Sequence, residues 1–437
     1  MANKLSSASL DHIYEFRSGL SKPRSEFGSG FPFLGFRDVF KNYFVPDQLT
    51  ELVNSTEKER EACSIQRGDV FLTRTSETAN ELGMSCVALK DYYGATFNGF
   101  TKRLRPKPGS PIVPEYAGYY FRGPAFRRAV TAMSTLSTRA SLNNEMLERL
   151  TIEFPEPEVQ RAIGFMLKRL DDKIELNRRM NRTLEKMAAA LFKSWFIDFD
   201  PVRAKAEGQD TGMPKEIANL FPDTFEDSEL GEIPKGWSVG PLSEIATLQT
   251  KTVQPGKRPE TLWEHYSIPA FDEGRQPKWE RGGTIKSGKY AVPHNSVLAS
   301  KLNPRFPRIW LPEITDSDVA ICSTEFMPFV PVQENWRPFL YELIKSPTVQ
   351  EEIRSRVSGS TGSRQRVKPK DIAIVPVVIP KSEIINAFCD IVGGMHKKLL
   401  GNRRNSLSLA QTRDRLLPRL LSGELEVPKA ILNEEVA

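Results

Sequence analysis

The chain has 437 residues and carries 61 Lys and Arg against 55 Asp and Glu, a net charge of +6 with a pI near 9.0. At 39% hydrophobic and 27% charged residues it has the length for two to four domains and the composition to bury real cores, which excludes a disordered or fibrous chain. No apolar run reaches membrane-spanning length and the opening MANKLSSASLDHIYEF lacks a secretory signal's apolar stretch, so a cytoplasmic location is expected.

The elements follow in chain order. A first module carries the basic clusters Lys22-Pro23-Arg24, Lys102-Arg103-Leu104-Arg105 and Arg127-Arg128, with Tyr92, Tyr93, Phe97, Asn98 and Phe100 interleaved before Lys102. Within it, Val70-Phe71-Leu72-Thr73-Arg74 reads as an apolar strand ending in a hydroxyl and then a cation. The stretch Ser134-Thr135-Leu136-Ser137-Thr138-Arg139 reads as a loop rich in hydroxyls that closes on a cation. From Ile163 the positions Leu167, Leu170, Ile174, Asn177, Asn181, Leu184, Ala188, Leu191 and Trp195 follow in alternating steps of four and three, predicting a long helix over about 156–198 with a heptad period. Pro201 to Pro222 reads as a polar linker with short helical potential. A second module carries Lys257-Arg258, Lys301 with Arg305 and Arg308, and Arg364-Gln365-Arg366-Val367-Lys368. A second long helix is predicted over about 381–422, its stripe reading Phe388, Val392, Met395, Leu399, Asn402, Ser406, Leu409, Arg413, Leu416 and Leu420.

The chain repeats itself. Arg139 meets Arg364, Pro155 meets Pro380 and Asn177-Arg178-Arg179 meets Asn402-Arg403-Arg404, all at one offset of 225 residues and without a gap. A weaker match opens each half, Leu10 to Ile13 against Leu242 to Ile245. Two copies are too few for a solenoid, so the repeat implies two modules, each followed by a helix. Run antiparallel with Asn181 opposite Asn402, the two helices place Trp195 against Phe388, Leu191 against Val392 and Ile174 against Leu409. The poor layer is Leu170 with Arg413, whose head is expected to reach outward to water. A parallel arrangement would instead require the chain to travel back some 50 Å along the first helix. Trp195, Phe196 and Phe199 serve either as core or as a surface for a partner.

Enzyme motifs fail. Gly283 to Lys289 fits GxxxxGK, yet Tyr290 stands where a P-loop needs a hydroxyl, and no apolar strand precedes it. Asn303-Pro304-Arg305-Phe306 resembles the Asn-Pro-Pro-aromatic tetrapeptide of amino-methyltransferases, but Arg305 replaces the second proline and no Gly-rich cofactor loop accompanies it. Cys63, Cys86, Cys322 and Cys389 are scattered among four histidines, without the spacing of a disulfide framework or a zinc site. No catalytic and no metal-ligating residues are expected. Basic clusters taken singly are solvated loops; repeated in both modules, they point to nucleic acid. Base readout needs fixed donors such as Arg, Lys and Gln, whereas Ser and Thr contacts set register. The strand ends at Arg74 and Lys301 and the loop ends at Arg139 and Arg364 are therefore the first candidates, with Lys22, Arg24, Arg305 and Gln365 behind them.

Five segments resemble the shared sequence of type I restriction–modification specificity subunits: SGLSKPRSEFGSGFPFLGFRDV near the start, GDVFLTR at 68–74, ALFKSWFIDFDPVRAKAEG at 190–208, LGEIPKGWSVGPLSEIA at 230–246 and RLLPRLLSGELEV at 415–427. The resemblance implies a mixed α/β (α+β) fold: two target-recognition domains with β-rich cores, separated by two helices in an antiparallel coiled coil with a pseudo-twofold repeat. It implies double-stranded DNA with a bipartite target as ligand, and as partners two methyltransferase (M) subunits and, in the full complex, restriction (R) subunits. S-adenosylmethionine, ATP and Mg are then expected on the partners and no cofactor on this chain. The expected boundaries are residues 1–153 for the first recognition domain, 154–199 for the first helix and 200–229 for the linker. Residues 230–378 form the second recognition domain, 379–425 the second helix and 426–437 the tail. The helices would set half-site centres somewhat more than one turn of DNA, about 34 Å, apart. One departure is that the first module lacks a counterpart of Gly236-Trp237, so a shorter amino-terminal edge is expected. The alternatives are a coiled-coil scaffold without sequence-specific DNA binding, and a self-sufficient enzyme that binds its own nucleotide or methyl donor.

Overall fold

A computed structural model describes residues 5–75, 81–134, 141–357 and 365–432. The fold is mixed helix and sheet and divides into two compact units, residues 1–176 with 405–437 and residues 177–404. This division cuts through both long helices, Pro157–Phe196 and Ser382–Leu421, so that each unit holds one end of each. Forty residues at about 1.5 Å rise give each helix a length of roughly 60 Å. Pro157 opens the first helix at a position where a missing N–H costs nothing, and Gly423, with φ +73°, ends the second.

The first unit is built on a four-stranded antiparallel sheet in the order Tyr14–Ser18, Thr101–Pro106, Val70–Thr73, Ser85–Val87. Alternation along Val70-Phe71-Leu72 decides what each face touches. Val70 and Leu72 join Tyr116, Tyr119, Phe121 and Phe126 and the helix residues Ile163, Leu167, Leu417 and Leu420 in one core. Phe71 joins Leu34, Val39, Cys86 and Phe97 in a second core on the other face. With both faces covered the strand is apolar throughout, which is why it lacks the polar alternation of a surface strand.

The second unit repeats the sheet: Ala246–Leu248, Phe326–Pro331, Val297–Ser300, Ile309–Trp310, in the same order. Val297, Ala299, Met327 and Phe329 pack on the long helices through Phe192, Trp195, Phe388 and Val392. Leu298, Trp310 and Phe326 line a separate core with Tyr266 and Phe271. The edge pairing repeats too. Ser6–Ser9 pairs with Thr151–Phe154 in the register in which Ser238–Pro241 pairs with Pro376–Ile379. The first module is therefore not shorter at this edge. What differs is Trp237, buried against Phe196, Phe199 and Phe221, which Gly236 admits by a left-handed turn at φ +80°.

The stretch after the first helix forms two short helices, Asp200–Ala206 and Lys215–Ala218, in keeping with its helical potential, and Val202 and Phe221 are buried in the second unit's core. Met213, Ile217 and Leu220 pack against the same core. The basic run at 102–105 is internal as well, since its strand lies between two others. Arg105 pairs with the fully buried Asp69 at 2.6 Å, while Arg103 donates to the Ser64 carbonyl at 2.7 Å and stacks on Phe97. Burial lowers the Arg103 pKa from its ordinary value. Arg105→Ala would strand the Asp69 carboxylate in the core. It is expected to cost roughly 3 kcal/mol in a denaturant titration, whereas Arg128→Ala on the exposed face leaves the midpoint unchanged.

Candidate nucleic-acid interface and helical seam

Each long helix presents one stripe to the other. In the second unit Trp195 and Phe388 meet edge to face at 5.9 Å, and the Asn402 amide donates to the Asn181 side-chain oxygen at 2.9 Å. Asn181 in turn donates to the Leu399 carbonyl at 3.2 Å. Asn177, Val392 and Leu399 are buried, while Leu184, Leu191 and Met395 are half-buried. In the first unit Ile163, Leu167, Ile174 and Leu420 are buried and Leu170, Leu409 and Leu416 half-buried. These contacts are antiparallel within each unit. Residues outside the stripe are as deep as those in it. Phe192 touches Phe388, Phe196 and Phe339, and Leu417 lies in the first unit's core. Phe196 and Phe199 are core residues too.

The layer holding Arg413 is solved differently from the expectation. Its guanidinium turns inward to Asp171 and Asp414 and lies over the Tyr43 ring, and its side chain is only 15% exposed. Burial opposes the charge, but Tyr43, Asp171 and Asp414 together hold its pKa above the ordinary value. Tyr119 donates to the same Asp171 at 2.7 Å.

The strand-end cations occupy equivalent places. The Arg74 N–H donates to the Phe100 carbonyl at 2.8 Å, and the Lys301 N–H to the Glu325 carbonyl at 2.9 Å. The Arg74 carbonyl accepts from Leu142 and the Lys301 carbonyl from Val367, at 2.8 and 3.1 Å. Bridges Thr75 to Ser141 and Leu302 to Arg366 repeat the same closure one residue further on. Both units thus tie the end of the central strand to the chain just after the candidate loop. Arg139 and Arg364, in those loops, lie outside the described residues. Gln365 is half-buried and accepts the Asn303 N–H at 2.8 Å.

The remaining candidates separate. Arg24 and Arg305 are exposed. Lys22 is held by Glu59 at 2.9 Å, which subtracts it from a free cationic surface. Around Arg74 stand Ser18, at 3.5 Å from its guanidinium, and Lys102, whose ammonium donates to Asn144 at 2.6 Å. Burial and then the Arg74 charge lower the Lys102 pKa, a field that favours an anion. In the second unit Arg366 is neutralised by Glu325 at 3.0 Å and Arg308 by Asp272 at 2.8 Å. That Lys102 stands opposite Ser18 becomes visible only once the strand register is known. The GxxxxGK match does not form a P-loop: Lys289 sits on a strand and its ammonium donates to Ser287 at 2.6 Å. Among the described residues no cluster of His, Cys, Asp and Glu suits a metal, and no helix is long and apolar enough to cross a membrane.

Comparison with known proteins converges on one family. The family described as "Type I restriction modification DNA specificity domain" matches residues 13–186. The chain is 27% identical to the HindI type I restriction enzyme specificity subunit of Haemophilus influenzae, over 90% of this chain and 94% of that one. It is 26% identical to the MjaIX specificity subunit of Methanocaldococcus jannaschii, over 93% and 89%. In fold it is similar to the crystal structure of a type I restriction–modification S subunit from M. genitalium, with a TM-score of 0.55, 14% identity and 96% of each chain covered.

The depth of the off-stripe rings is measurable. Trp195→Ala and Phe192→Ala are each expected to cost roughly 3–5 kcal/mol of stability in denaturant melts, although the heptad stripe contains only the first. Leu191→Ala, at a half-buried stripe position, costs less than either.

Proposed function

The chain is a member of the type I restriction–modification specificity subunits, and on that premise we propose that it reads a bipartite duplex DNA target, one half by each unit. The observation that carries this reading is the repeated strand end. The backbones of Arg74 and Lys301 are fixed by equivalent hydrogen bonds, so two cationic side chains start from matching places in two modules. From such a place a cation can meet a phosphate or a guanine edge.

The chain is the non-catalytic member of its complex. Methyl transfer and cleavage belong to the partners: two methyltransferase subunits docked along the long helices, and restriction subunits in the full assembly. S-adenosylmethionine, ATP and Mg are bound by those partners. The helices supply a spacer whose length the Asn181–Asn402 layer keeps in register. The residues left outward on them, such as Arg178, Arg182 and Lys186 on the first, offer a polar docking face.

The test is methylation mapping in cells that express this chain with its methyltransferase, against cells that lack it. A bipartite motif that vanishes with the chain is the expected result; an unchanged methylome with active methyltransferase overturns the reading in favour of a scaffold. Arg74→Ala and Lys301→Ala should each weaken binding of the assembled complex and reduce the salt slope by about one. Arg139→Ala with Arg364→Ala should act in the same direction. Removing one heptad from each helix shortens the spacer by about 10 Å, so the gap in the methylated motif should contract by about 3 base pairs.

A further inference from the structure

Two phenylalanines stand in water where turn chemistry would place a polar residue. Phe100 is 61% exposed and Phe306 64% exposed. Neither lies on a loose loop. Phe100 sits in a turn whose N–H donates to the Asn98 side chain at 2.7 Å, with Thr101 N–H returning to the Asn98 carbonyl at 3.0 Å. Gly99 donates to Leu20, and Gly19 lies so close to the Asn98 carbonyl that a Cβ there would collide with it. Phe306 closes a turn by donating to the Asn303 carbonyl at 3.0 Å. Asn303 is held in the left-handed region at φ +51°, Pro304 is buried, and the Asn303 N–H is tied to Gln365. Backbone strain at a non-glycine residue persists only where its surroundings enforce it, and such places cluster at functional sites.

Both rings border the strand-end cations of their own unit. The Phe100 carbonyl is the acceptor of Arg74, and Phe306 follows Arg305 directly, five residues beyond Lys301. Rigid, exposed and flanked by positive charge, each ring suits a surface that is anionic on its rim and apolar within. A duplex groove has that chemistry: phosphates outside, base faces and thymine methyls inside.

Building on the DNA-reading function above, we propose that Phe100 and Phe306 are specificity-determining residues, each making an apolar contact to the bases of its own unit's half-site. The cations position the duplex and the ring discriminates among base pairs. A base contact carries sequence information, while a phosphate contact carries none. The two kinds of residue therefore leave different signatures.

The experiment uses the full chain assembled with its methyltransferase. Labelled duplexes carry the motif that mapping assigns to the wild type, together with single-base variants in each half. Phe100→Ala is expected to reduce discrimination in one half-site by roughly tenfold and Phe306→Ala in the other, with the salt slope unchanged. Trp279→Ala, which removes a ring that is 49% exposed on the edge strand Lys278–Arg281 and lies well before Lys301 in sequence, leaves discrimination as in the wild type. Thermal melting checks folding, and Phe→Leu replaces any Ala variant that melts early. Wild-type discrimination in both Phe variants, alongside weakened binding by Arg74→Ala and Lys301→Ala, overturns this proposal and leaves the DNA-reading function standing. Uniform weakening on every duplex also overturns it, because that marks a phosphate contact. A wild-type complex without sequence preference removes both.

Discussion

The register of the two long helices is marked by the polar layer of Asn181 and Asn402. Asn402 donates to Asn181, and Asn181 to the Leu399 carbonyl, inside a seam whose other polar members are Asn177 and Ser406 beside them and Arg413 further along. Sliding one helix by a heptad would bring Asn181 against Met395 or Leu409 and leave buried amide groups without partners, at about 1–3 kcal/mol each. An all-leucine seam would tolerate that slide; this one does not. With register and direction fixed, every deeper contact follows. Trp195 meets Phe388 in the second unit, and Ile163 and Leu167 share a core with Leu417 and Leu420 in the first. Each sheet is then built against helix surface whose position is already decided.

Charge is distributed by the same logic. A net charge of +6 reads as a surface property, but several of the cations are used inside the fold. Arg105 neutralises Asp69, Arg413 neutralises Asp171, and Arg122 donates to the carbonyls of Val39, Phe40, Asn42 and Ser85. These guanidiniums fasten strands and loops to helices, a task suited to a planar group with five donors. Other cations stay at the surface, Arg24 and Arg305 on connections and Arg128 and Lys186 on helices, while Arg74 and Lys301 at the strand ends are half-buried.

The helices and the repeat were legible because their signals are periodic. A heptad stripe and a constant offset of 225 residues are one-dimensional facts that survive without knowledge of the fold. Phe192 and Leu417 were invisible to the stripe because a helix that touches a sheet as well as a helix buries more than one face. The basic run at 102–105 was misassigned for a related reason: charge patterning does not reveal that a strand is central. The strand ends at Arg74 and Lys301 were found from local pattern, yet their shared hydrogen bonds to Leu142 and Val367 depend on chain returning from about 65 residues away. Sequence exposes such sites as repeated words, and only packing explains why the words match.

The repeat is tight where a unit touches the long helices and loose where it does not. Edge strands and central sheets recur in order and register. The outer sheets diverge, three strands beside the first unit's second core and five beside the second unit's. Arg74 and Lys301 hold equivalent backbone positions, whereas the exposed rings Phe100 and Phe306 arise on different connections of the sheet, one leading into the strand at 101–106 and the other into that at 309–310. That contrast has a physical cause. A residue packed on the seam answers to a partner surface whose register is fixed, so change there disturbs both helices. A turn at the far strand end answers only to its own hydrogen bonds and to whatever it binds. Two modules derived from one unit can therefore keep a common frame and common anchors for an anionic backbone while placing their apolar contacts differently, which is the separation a protein needs to read two unlike sequences with one fold.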